Sequence, residues 1–99
     1  MLYAISGTDG PDSLPGRQAA RAAHLARVTS LREQGRLIIA GPHPRLDTRE
    51  PGDAGFSGSL IIAEFASIDE ASSWASTDPY VQAGVWVDVQ VKPFIQVMP

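Results

Sequence analysis

The sequence predicts an α+β fold, a four-stranded antiparallel sheet carrying two helices on one face. Three observations lead there. The apolar runs "MLYAIS", "RLIIAGP" and "GSLIIAEF" are each too short for a stable helix and are bounded by Gly or Pro. A period of two runs through "VWVDVQVKPF", as expected of a strand with one buried face. Helix-forming stretches separate the first run from the second and the third from the fourth. The order strand, helix, strand, strand, helix, strand is the split βαββαβ arrangement called ferredoxin-like, here one domain over residues 1–99.

Each element has its own signal. The opening strand ends at "GTDGPDSLPG", whose glycines and prolines predict a loop. From Arg17 to Gln34 the chain is rich in Ala, Leu, Arg and Glu, and Gly35 supplies the helix exit. The apolar stripe of that helix reads Ala20, Leu25, Val28 and Leu31. Between the two central strands lies "HPRLDTREPGDAGFS", whose length and Pro/Gly content predict a mobile lid or binding loop over residues 44–57. Ser67 followed by Glu70 has the spacing of a capping box and starts a second helix with Ala71, Trp74 and Ala75 inward. In "TDPYVQAG", Asp78 is placed to cap, Pro79 to begin and Gly84 to end a one-turn helix. In the last strand Val85, Val87, Val89 and Val91 alternate with Trp86, Asp88, Gln90 and Lys92, and Pro93 predicts an edge or a bulge. Both faces of "LIIA" and "LIIAEF" are apolar, so the sheet face away from the helices calls for cover. A second copy of the chain, a homodimer, is the simplest source.

Composition narrows the function. At 99 residues, 43% hydrophobic and 19% charged, the chain is an ordinary globular one. A formal net charge of -3 gives no basic footprint for nucleic acid. The N-terminus lacks a basic and apolar leader and no segment is long and apolar enough to span a membrane, so a cytoplasmic protein is expected. The absence of cysteine excludes disulfides, thiolate metal sites and cysteine nucleophiles.

The neutral-pH proton carriers are therefore His24 and His43. His24 lies beside the apolar stripe of the first helix, partly buried, with Arg21 one turn earlier and able to bind an anionic ligand. His43 is framed by Pro42 and Pro44 at a strand end. No HxH, HxxxH or HExxH spacing supports a metal, and no cofactor motif occurs. Ser59 lacks the elbow of a hydrolase nucleophile.

Taken together, "HLAR", "GRLIIAGP", "DPYVQAGV" and "VKPF", in this order, resemble the YciI-like (YCII-related) family of small bacterial proteins over nearly the whole chain. The resemblance implies a fold similar to dimeric α+β barrels and a site centred on a His and an Asp. Matched to this sequence these are His24 in "HLAR" and Asp78 in "DPY", with Arg21, Ser59 and Tyr80 as neighbours that hold substrate. It further implies cofactor-free chemistry of a lyase or isomerase type, dehydrochlorinase-like, on a small cyclic or aromatic metabolite. A His general base oriented by a carboxylate can perform such proton transfers. The alternative is a non-catalytic module of the same fold that binds a small molecule or another protein.

Overall fold

Short β-prone runs and one long Ala-rich segment assemble as their patterns require. The computed structural model describes residues 1–99. Its elements are β1 (Leu2–Asp9), α1 (Leu14–Glu33), β2 (Leu37–Pro44), β3 (Phe56–Glu64), α2 (Ile68–Ser76), the single turn α3 (Pro79–Gln82) and β4 (Trp86–Phe94). The sheet order is β2-β3-β1-β4, with every neighbouring pair antiparallel. This is the ferredoxin-like α+β arrangement.

Register decides which side chains face the helices. Ile5 lies opposite Ile61 and Val91, and Tyr3 opposite Ala63, so these share one face. With Phe65, Val28 and Leu31 of α1, Ala71 and Ala75 of α2, and Val85 and Trp86, they form the core. Ser67 caps α2 by accepting the Glu70 amide at 3.1 Å, while the Glu70 carboxylate accepts the Ala66 amide. On the opposite face Ala4 pairs with Ile62 and Ser6 with Leu60, and Ile39 lies beside Ile62. No helix covers that side, and Ile39 is 56% exposed.

Four local expectations are corrected. β1 runs on through Gly7 to Asp9 and α1 begins at Leu14, which shortens the predicted loop from both ends. Pro15 sits in the first turn, where a missing N–H costs nothing, and a Cβ on Gly7 would collide with the Trp86 ring. The inward stripe of α1 is Arg17, His24, Val28 and Leu31, with Leu25 exposed. The alternation in β4 breaks at a bulge between Thr8 and Asp9 of the paired strand, which turns Trp86 inward and Val87 outward. Val89 and Val91 pack against the core as expected, and Pro93 lies on the edge strand. β2 extends two residues past its predicted end, so His43 is a strand residue, exposed to solvent.

Candidate active site

Residue Asp78 is both the cap of a helix and the partner of a histidine. Its backbone is extended, as befits an N-cap before Pro79, and its Oδ1 accepts the Tyr80 amide at 2.9 Å. His24 Nδ1 lies 2.9 Å from Oδ1 and 3.0 Å from Oδ2. Arg27, one turn beyond His24 on α1, donates to Oδ2 at 3.2 Å and to the Trp74 carbonyl at 2.8 Å. Asp78 is wholly buried, and these donors all require an acceptor, the role of a carboxylate. With Nδ1–H donated to Asp78, the lone pair of His24 falls on Nε2, which has no protein partner. The face of the ring is covered by Tyr80, stacked at 4.1 Å between centroids, and its edge by Trp86 at 5.7 Å.

A second buried network adjoins the first. Arg17 forms a fork on Asp9, Nε to Oδ2 at 2.8 Å and Nη2 to Oδ1 at 3.0 Å, and Ser13 donates to the same carboxylate. Arg17 Nη2 also donates to the Gly58 carbonyl and, at 2.7 Å, to Ser59 Oγ. Its guanidinium packs against the rings of Tyr80 and Phe56, 4.8 and 5.1 Å from their centroids. Neither Asp9 nor Arg17 stands out in the sequence as a site residue. The available signal is that Arg17 occupies the inward position two turns before His24 on α1.

Both networks border one cleft of about 550 Å³ between α1, the sheet and the loop after β2. His24, Arg21, Ser59 and Tyr80 line it, together with Arg17 and Phe56. Asp78 stands behind His24. Arg21 makes no ion pair or hydrogen bond. Pro51 and Gly52 of the long loop reach the cleft wall, whereas His43 does not. The Tyr80 phenol is raised above its ordinary 10.0 by burial, reinforced by Asp78 and opposed by the charges of Arg17 and Arg21. It therefore keeps its proton at neutral pH and presents an O–H donor. The Arg17 guanidinium is close enough to favour the ionised phenol, although no Arg17–Tyr80 hydrogen bond of good geometry forms. No three His, Cys, Asp or Glu side chains converge as a metal-binding group.

Known proteins share this architecture. Protein YciI of Escherichia coli O6:H1 is 54% identical over 97 residues, which cover 98% of this chain and 99% of that one. A Haemophilus influenzae protein is 48% identical over the same shares. Among solved structures, 5-chloro-2-hydroxyhydroquinone dehydrochlorinase, TftG, from Burkholderia phenoliruptrix is similar with a TM-score of 0.83 and 33% identity. That similarity covers 96% of this chain and 94% of TftG, whose structure is a complex with 2,5-dihydroxybenzoquinone. The family model of the YCII-related domain matches residues 1–95, and the chain belongs to that family.

Proposed function

We propose that the protein is a cofactor-free lyase or isomerase that moves a proton on a small hydroxylated ring. In this reading His24 is the general acid-base and Asp78 fixes its tautomer. The observation that carries the reading is the doubly held Nδ1 of His24, which leaves Nε2 as a free base on a cleft. Nε2 takes the proton of a ring hydroxyl, the O–H pair becomes C=O, and the displaced π pair takes a proton back from Nε2–H at a ring carbon. Where that carbon carries a leaving group, loss of a second ring hydroxyl proton drives the group out with its bonding pair. Removal of HCl from a hydroxylated ring, the activity in the name of TftG, is of this kind. General acid-base catalysis supplies about 10²- to 10⁴-fold. Tyr80 offers its O–H to a substrate oxygen. Ser59, having accepted from Arg17, keeps its own proton to donate.

The test is anaerobic incubation with 5-chloro-2-hydroxyhydroquinone, following chloride release and, in D2O, deuterium uptake at ring carbons. Either process, lost in His24→Asn, supports the proposal. Tight binding with neither process would make the cleft a small-molecule-binding module instead.

Assembly as a homodimer through the uncovered sheet face belongs to the same reading, supported by Ala4, Ile39, Leu60 and Ile62 on that face. Light scattering should give twice 10.6 kDa for the wild type and the monomer mass for Ile39→Asp, a change at a position 56% exposed in the single chain. A wild-type monomer from micromolar to millimolar concentration removes the dimer.

A further inference from the structure

A charge inventory of the cleft names the substrate class more narrowly. Although the chain carries a formal net charge of -3, no acidic side chain lines the cleft, and its charged lining residues are Arg17 and Arg21. Two carboxylates bonded to residues of the cleft wall are already engaged, Asp9 by Arg17 and Ser13, Asp78 by His24, Arg27 and the Tyr80 amide. Within these networks the guanidiniums of Arg17 and Arg27 are paired with the two carboxylates, and Arg21 adds a positive charge that no carboxylate pairs. Arg21, without any ion pair, is the natural holder of that surplus.

Arg17 adds direction to this charge. It is only 6% exposed, and Nε and Nη2 are used on Asp9, Gly58 and Ser59, yet Nη1 meets no acceptor. Nη1 is not enclosed, since Trp86 Nε1 is the one buried side-chain donor left without a partner, so Nη1 keeps contact with solvent and a ligand oxygen in the cleft can take the place of water there. Asp9 holds the group in a fixed orientation, so Nη1 is a preorganised donor rather than a wandering one. The aromatic rings of Tyr80 and Phe56, both in contact with the Arg17 guanidinium, also line the cleft and suit a planar ring.

We propose that the cleft selects a planar ring bearing an ionised oxygen, as phenolate, enolate or carboxylate. Arg17 Nη1 donates to that oxygen, and Arg21 supplies the uncompensated charge at the rim. The inference rests on the cleft of the proposed function as the binding site, and not on any reaction there.

Isothermal titration calorimetry on the full chain tests it with two probes, ionised 2,5-dihydroxybenzoquinone and its neutral dimethyl ether. The anion should bind at least about tenfold more tightly than the ether and weaken several-fold between about 20 and 300 mM salt. Arg21→Gln should cost the anion about fivefold to tenfold and Arg21→Glu more, with the ether unchanged in both. Arg21 is an exposed residue, so neither change threatens the fold. Salt-independent anion binding, equal affinity in wild type and Arg21→Glu, or no anion binding at millimolar concentration would overturn the proposal. Anion binding that persists in His24→Asn or without any turnover supports this inference even as it counts against proton transfer.

Discussion

Tyr80 stacks on His24 with ring planes 19° apart, and its amide is capped by the same Asp78 carboxylate that holds the imidazole. One side chain thus sets both the position of the ring that covers His24 and the orientation of His24 itself. The stack places the phenol in a buried setting, which has a consequence at alkaline pH.

Burial raises the Tyr80 phenol above 10.0, so between the unfolded and folded values the native state holds a proton that the unfolded chain releases. The contribution to stability is complete below about pH 10 and is lost as pH rises through the folded value. Urea unfolding between pH 8 and 11 should show wild type losing more stability than Tyr80→Phe. Parallel curves for the two proteins would remove the burial argument.

Asp78→Asn keeps the cap, since asparagine also accepts an N-terminal amide, but it puts a donor where Arg27 and His24 both donate. The histidine then has no reason to keep its proton on Nδ1. We expect a loss of about 10²- to 10⁴-fold in any turnover, with the fold and helix content retained. Nitrogen chemical shifts of the His24 ring should move away from the Nδ1–H tautomer. Unchanged shifts would return Asp78 to the single role of a cap.

The element order was legible because the periodicities of two and of 3.6 are local. His24 and Asp78 were legible as motif residues, and Asp78 also as a cap, but nothing local reports that they touch. Arg17 and Asp9 escaped notice for a physical reason. A search for apolar residues at helical spacing passes over a buried arginine, although Arg17 occupies an inward position of α1. Asp9 sits in a glycine-rich run that reads as a loop, whereas Gly7 there serves a strand by admitting the Trp86 ring. The bulge that reverses Val87 is set by pairing with β1, which no reading of β4 alone contains.

Trp86 supports His24 and Tyr80 edge-on, and its buried Nε1 makes no hydrogen bond, so packing alone holds the indole in place. Gly7→Ala drives a methyl into that ring and should cost about 1–3 kcal/mol. Gly41→Ala, at a strand position with nothing within 4 Å of the new Cβ, should change stability by less than about 0.5 kcal/mol. Equal effects in urea unfolding would contradict the packing account.

The Arg17–Asp9 pair tests whether the second network is structural, ligand-holding or both. Their side chains are 7% and 0% exposed, so removing one partner strands the other's charge out of water. Asp9→Asn and Arg17→Gln should each cost about 3–5 kcal/mol. The double variant should cost clearly less than the two together, because neither charge is then left alone, with a coupling of at least about 2 kcal/mol. Additive costs would mean that the pair is not energetically linked. A purely structural pair predicts that the double variant, once folded, binds ionised 2,5-dihydroxybenzoquinone as wild type does. If Arg17 Nη1 also holds the substrate oxygen, the folded double variant binds that anion about tenfold more weakly or worse, while its affinity for the neutral dimethyl ether is unchanged.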